Sequence, residues 1–235
     1  MSKRMIAPLI FGLGGIVILL WLGFWQLGRL EWKQGIIERV TTQMGADPVS
    51  LVSQYKRTDS ILDRNYVRVA FDGVLTGREA HVYAPQAGQN LGYHVVAEFQ
   101  SSGKSMLLDL GIIPASAKED ARPSGPIRGT GHVLTPQDHD DAFTPDPDLE
   151  KNIYFSRFLA PIAQNMNTTP FMVVVEQAEI QIDGTWRPYD ATAFRPVQAS
   201  FKNDHLEYAI TWFSLALVWL GMTLYLLWRI RRKTV

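Results

Sequence analysis

The chain has 235 residues, no cysteine, and 23 acidic residues balanced by 23 basic ones. The missing cysteine excludes disulfides, a Cys-x-x-Cys redox centre, a thiolate copper site and covalent haem attachment through Cys-x-x-Cys-His. Neutrality conceals an asymmetry: Lys3, Arg4, Arg229, Arg231, Arg232 and Lys233 occupy the tails and every acidic residue lies between Glu31 and Glu207, so the tails carry +6 and the middle −6. A middle segment of that sign repels phosphate, so nucleic acid is not an expected partner.

Met5–Gly28 and Tyr208–Trp228 contain no charged residue. Each meets the roughly 20 residues that a helix needs to cross hydrocarbon, and neither has the polar face of a surface helix. The first lacks a small-x-small cleavage pattern and runs straight into Trp25, Gln26 and Arg29, so it reads as a retained anchor rather than a signal peptide. Basic tails stay on the cytoplasmic side. The predicted organisation is a cytoplasmic tail over 1–4, a transmembrane helix over 5–28, an extracytoplasmic α+β domain over 29–207, a second transmembrane helix over 208–228 and a cytoplasmic tail over 229–235. No Arg- and Ser-rich transit sequence precedes the first helix, which favours a bacterial inner membrane with the central domain in the periplasm.

After the first span, good helix formers continue to Val40, and Gly45-Ala46-Asp47-Pro48 supplies a stop. Val49–Tyr55 suits a short helix. The period then becomes two: Val67, Val69 and Phe71 alternate with Arg68, Ala70 and Asp72, the pattern of a half-buried strand. Asp72-Gly73 and Thr76-Gly77 are bulge or turn signals, with a second strand expected at Ala80–Ala84. Leu91 to Gln100 alternates as a third strand, Ser101-Ser102-Gly103-Lys104 suits a hairpin turn, and Ser105–Ile113 follows as a fourth. Further strands are predicted at Ile127–Leu134 and within Phe171–Ile182. Pro136–Pro147 is acidic and Pro-rich, hence a loop, and Ile153–Asn165 carries apolar residues at helical spacing. The fold class is thus a membrane protein whose two spans flank a mainly antiparallel sheet, curled into a small barrel or a sandwich with one or two helices packed on it.

His205 is the leading candidate for chemistry. It stands where the second apolar helix begins, with Tyr208, Ala209, Trp212 and Ala216 following on one stripe. A flat ligand fits along that stripe with the imidazole on a metal at its edge, as in haem proteins with one axial His. An interfacial aromatic belt accounts for the same residues without a ligand. On the first helix Gly14, Ile18, Trp21, Trp25, Arg29 and Trp32 share a face, and the Arg29 guanidinium suits either a carboxylate such as a haem propionate or lipid phosphate. Gly12, Gly14 and Gly15 permit close helix contact. His94 falls on the polar row of its strand and reads as a solvated or hydrogen-bonded residue, and His81 and His132 lack a companion His or Cys at metal spacing. The acidic run around Asp138, His139, Asp140 and Asp141 lacks the Gly turn and terminal Glu of a calcium loop. No nucleophile set, phosphate loop or paired-carboxylate motif stands out, so no catalytic residue is predicted.

Gly23-Phe24-Trp25-Gln26-Leu27-Gly28-Arg29-Leu30-Glu31-Trp32-Lys33 resembles the amino-terminal signature of the Surfeit-locus family of cytochrome c oxidase assembly proteins. Asn203 to Ala216 resembles its carboxy-terminal signature, and Gly92-Tyr93-His94-Val95-Val96 is similar to a further family segment. Asp204 stands where a second Asn is usual, and Ser105–Pro114 lacks the Asn-Arg-Gly-Trp pattern of that strand, as in a divergent branch that would serve a quinol oxidase. The resemblance implies a two-span assembly factor, not an enzyme, that helps install haem a in subunit I of a haem-copper oxidase. It implies His205 as the iron ligand. The site expected from the residues lies between the periplasmic ends of the two spans, with Trp25, Tyr208 and Trp212 packing on a transiently held macrocycle and Gln26 or Arg29 on its polar edges. Expected partners are subunit I, haem A synthase and membrane lipid. The competing expectation is a cofactor-free membrane chaperone or scaffold for subunit I or the haem synthase.

Overall fold

The computed structural model describes residues 6–56, 64–84, 92–136, 142–194 and 203–232. The chain divides into two compact units, residues 1–40 with 199–235, and residues 41–198.

The first unit is a helix pair. Helix α1 (Ile6–Gly45) runs for 40 residues, its last turn belonging to the second unit, and ends where Gly45 and Pro48 stop it. The carboxy-terminal helix (His205–Arg232) runs for 28 residues. Both are long and apolar enough to cross a membrane. Facing pairs run in opposite senses: Gly12 meets Thr223, Gly15 meets Trp219 and Gly23 meets Phe213, so the helices are antiparallel. A Cβ on Gly12 would lie 2.2 Å from Thr223 Cγ2, and one on Gly23 2.6 Å from the Phe213 ring, so only glycine admits this approach. The Trp219 indole donates its Nε1–H to the Gly12 carbonyl at 3.2 Å, and Phe24 meets Phe213 edge-on at 5.4 Å. Gly14, grouped with Gly12 and Gly15 by sequence, faces open space, because it lies on the other side of α1.

Gly12→Leu is therefore expected to splay this pair while Gly14→Leu leaves it closed. The cost is about 1–3 kcal/mol, the scale of forcing extra methylenes into a close-packed contact. Spin labels on cysteines replacing the exposed Leu13 and Leu224, in a chain with no native cysteine, read the change as a broadened distance distribution.

The second unit is a small barrel. Its strands are β1 (Val49–Ser50), β2 (Arg68–Ala84), β3 (Gly92–Ser101), β4 (Lys104–Pro114), β5 (Gly125–Val133), β6 (Ile153–Tyr154), β7 (Met172–Ile182) and β8 (Thr185–Pro188). The order β2–β3–β4–β7–β5 closes because β5 also pairs with β2. Closure depends on the 17-residue β2. Its first half, Arg68–Leu75, pairs with β5 and its second half with β3. Asp72-Gly73 and Thr76-Gly77 make no turn: β2 passes through both, and Ala80–Ala84 is its far end rather than a separate strand. The register shifts between Leu75 and Glu79, where Gly77 adopts a left-handed φ of 85°, so the glycine bends one strand around the barrel. Most pairings are antiparallel; β4–β7 is parallel, as are the short β1 and β6 on β2.

Two apolar clusters follow from strand alternation. Phe71, Phe99, Leu108, Leu110, Ile127, Val173 and Ile180 belong to one. Val82, Val96, Leu107, Met172 and Val174 belong to the other and pack with Leu159, Ile162, Ala163 and Met166 of helix α3 (Leu159–Met166). β4 is thus covered on both faces, which is why Met106–Ile113 is buried without a break, Asp109 included. Helix α2 (Leu51–Tyr55) follows β1, so Val49–Tyr55 is split between a bridge and one helical turn. The helix expected over Ile153–Asn165 starts only at Leu159. Asn152 is left-handed at φ 53°, Ile153–Tyr154 pairs with β2, and Phe158 is extended before the helix opens with Pro161 in its first turn. Strand β8 went unpredicted because its hairpin partner is needed to order so short a segment. Leu91 and the acidic residues 138–141 lie outside the described residues.

Candidate functional site

The His205 side chain sits at the start of the carboxy-terminal helix, named α4 (His205–Arg232), where the helix pair leaves its uncharged stretches. Its Nδ1 lies 2.7 Å from Gln26 Oε1, a contact between residues 179 apart in sequence. Gln26 is only 9% exposed, and no hydrogen bond to His205 Nε2 occurs among the described residues. Periodicity accounts for the meeting. Gly12, Gly15, Gly23 and Gln26 form one face of α1, and His205, Ala209, Trp212, Ala216, Trp219 and Thr223 form one stripe of α4. Ala209 and Ala216 are buried on that stripe, as are Gly12 and Gly23 opposite.

The remaining predicted residues surround this contact. Trp212 is half-buried on the His205 stripe, whereas Tyr208 is exposed at its edge. Trp25 is exposed about 100° around α1 from Gln26, and Arg29 is exposed one turn beyond it. The face shared by Ile18, Trp21, Trp25 and Trp32 points outward, with Trp21 64% exposed. Arg29 stacks its guanidinium 4.3 Å above the Trp32 ring, on its own helix. The structure therefore joins His205 to Gln26 directly and leaves Trp25, Arg29 and Tyr208 as neighbouring surface. The stripe of small residues was the signal that Gln26, rather than Trp25, continues the contact face.

His81 and His94 lie beside charged side chains of the barrel, whereas His132 meets a backbone carbonyl. His81 Nε2 lies 3.1 Å from Glu79 Oε1 and 3.1 Å from Arg122 Nη2. Arg122 donates Nε–H to both Glu79 oxygens, at 3.0 and 2.8 Å, and Nη1–H and Nη2–H to the Ala117 and Lys118 carbonyls. His94 Nδ1 lies 3.2 Å from Asp109, which is 1% exposed, accepts from Gly111 N–H and has Arg157 3.7 Å away. His94, on the outward row of its strand, is thus a hydrogen-bonding partner of Asp109. His132 Nε2 approaches the Met44 carbonyl at 3.4 Å. Among the described residues no group of three or more His, Cys, Asp or Glu could hold a metal ion.

Two carboxylates are held far down. Burial pushes Glu79 upward, but hydrogen bonds from Arg122 and His81 outweigh it and hold it at about 2. Glu98 likewise sits at about 2, burial being outweighed by Arg78, Ser105 and Thr76. Both folded values lie below the ordinary carboxyl value of 4.5. Their stabilisation is therefore complete above that value and lost as pH falls from 4.5 towards 2. Chemical denaturation of the barrel should give a flat stability from pH 8 to about 5 and a steep fall below about 4.

The SURF1 family's sequence profile matches residues 13–217, a span that covers both helix ends and the whole barrel. The chain belongs to the SURF1 family. SURF1-like proteins from Dictyostelium discoideum and Rickettsia prowazekii (strain Madrid E) are each 26% identical to it; the alignments cover 85% and 86% of this chain and 88% and 82% of those proteins. Surfeit locus protein 1 of Rattus norvegicus is 24% identical over 83% of the chain and 67% of its own length. In this SURF1 family member the matched region includes both halves of the His205–Gln26 contact.

Proposed function

We propose that this chain is an assembly factor for a haem-copper terminal oxidase that binds haem a through His205 and passes it to subunit I, without a catalytic step of its own. SURF1 membership supports the oxidase-assembly role. The observation that carries the cofactor reading is the His205 imidazole, tied at Nδ1 to Gln26 and with no hydrogen bond at Nε2 among the described residues. An imidazole in that state presents one lone pair, as an axial iron ligand does. Haem would supply the metal that this lone pair binds.

The surrounding side chains have suitable chemistry. Trp212 and the exposed Trp25 and Tyr208 offer aromatic faces for a macrocycle. Arg29, stacked on Trp32, keeps edge N–H donors for a propionate. One ligand and exposed packing make a loose hold, which suits a carrier that must release its load. An apolar cofactor tail would rest in lipid, lowering the cost of holding it outside an enzyme.

Two apolar helices and the cationic tails support a bacterial inner-membrane protein with both termini cytoplasmic and the barrel periplasmic. Subunit I and haem A synthase are the partners this reading requires. The test is the visible spectrum of protein purified from cells that make haem a. A Soret band is expected. A colourless protein on which oxidase assembly still depends would overturn the haem reading in favour of a scaffold.

A further inference from the structure

We propose that Gln26 is the positioning residue for His205, its side-chain carbonyl accepting the Nδ1–H bond and so fixing the tautomer that leaves Nε2 open to a metal. The purpose assigned here rests on the haem-carrier reading; the tautomer itself does not.

Three observations carry the inference. The Gln26 Oε1 to His205 Nδ1 distance is 2.7 Å, a full hydrogen bond. Gln26 is almost completely buried on the face that also carries the buried Gly12 and Gly23, where water does not replace a lost partner. The close approach that brings the two together is built into the helices, since Gly23, one turn before Gln26, is the residue that admits Phe213. A neutral imidazole bears one proton. If Gln26 accepts, the proton is on Nδ1 and Nε2 holds the lone pair. If the amide were turned over, its NH2 would donate to Nδ1, the proton would move to Nε2, and the imidazole would be closed to iron.

An amide acceptor also sets strength. A carboxylate at this position would draw the Nδ1 proton towards itself and make the imidazole a stronger donor. A neutral amide orients the ring without that push, which favours release. Gln26→Leu is accordingly expected to weaken haem binding roughly 10- to 100-fold, the usual effect of losing an outer partner of a metal ligand. Gln26→Glu is expected to restore it and to lower the reduction potential of the bound iron.

The experiment is 15N NMR of histidine-labelled full-length protein in detergent without haem, with the His205 signals assigned by their loss in His205→Ala. The wild type is expected to have a protonated Nδ1 and an unprotonated Nε2. Gln26→Leu is expected to give a mixture of tautomers, and Gln26→Glu to recover the Nδ1–H form. A wild-type proton on Nε2, or a Gln26→Leu spectrum identical to wild type, overturns the proposal. If Gln26→Leu splays the helices, as the Leu13 and Leu224 label pair would reveal, the wild-type and Gln26→Glu spectra decide alone. A colourless protein with a Gln26-dependent Nδ1–H tautomer would sink the haem reading and leave the positioning role standing.

Discussion

His205→Ala is expected to emerge from haem a-producing cells without a Soret band and to leave oxidase assembly at the level of a gene deletion. This is the largest effect foreseen, because His205 is the single iron ligand in the proposed site. What remains is packing on exposed aromatics, each worth about 0.5–1.5 kcal/mol. Replacing Trp25 or Tyr208 with leucine should therefore weaken binding only several-fold. The helix pair should survive the loss of His205. Its contacts at Gly12–Thr223, Trp219–Gly12 and Phe24–Phe213 do not involve the imidazole. The alanine variant does strand the Gln26 amide, at a cost of about 1–2 kcal/mol. His205→Gln removes that ambiguity, since its amide pairs with Gln26 but does not bind iron. Both variants should be colourless and fold normally. A Soret band retained in His205→Gln would place the iron ligand elsewhere.

The sequence made part of this site legible. Uncharged stretches located both helices, because a span without a polar face has few other uses, and the signature at Asn203–Ala216 singled out His205. Periodicity also grouped Trp21, Trp25 and Arg29 correctly on one face of α1. It did not say which face of α1 meets α4. The aromatic face was attractive chemically, yet close packing in lipid selects small residues, and the glycine face turned inward with Gln26 on it. In the barrel, alternation located most of the strands, but closure was not readable. It depends on β2 serving two neighbours around the Gly77 bulge, and a glycine after Thr76 reads equally well as a turn. The ion networks were equally hidden: Glu79 and Arg122 are 43 residues apart and neither has a distinctive local pattern.

Arg122→Met is expected to be the most damaging single change in the barrel. The Arg122 side chain is 6% exposed and its partner Glu79 20% exposed. Removing the guanidinium leaves Glu79 charged and largely shielded from water, with His81 its remaining hydrogen-bonding partner, and frees the Ala117 and Lys118 carbonyls that Arg122 fastened. Breaking such a pair costs about 3–5 kcal/mol, a large part of the roughly 5–15 kcal/mol that holds a domain folded. At about 2–4 °C per kcal/mol, the barrel should melt roughly 10–15 °C lower, measured by near-ultraviolet circular dichroism of the full chain in detergent. The pH dependence separates a lost ion pair from lost packing. In the wild type, Arg122 and His81 hold Glu79 at about 2, so the pair stabilises throughout the neutral range. Without Arg122, burial raises the Glu79 carboxyl, so the folded variant takes up a proton there and loses the stranded charge as pH falls. The gap between the two proteins should therefore narrow as pH falls from 7 to 4, even though the wild type itself weakens only below about 4. Glu79→Gln added to Arg122→Met removes the stranded charge and should recover part of the loss at pH 7. A gap independent of pH, unrelieved by the second substitution, would assign Arg122 a packing role in place of an electrostatic one.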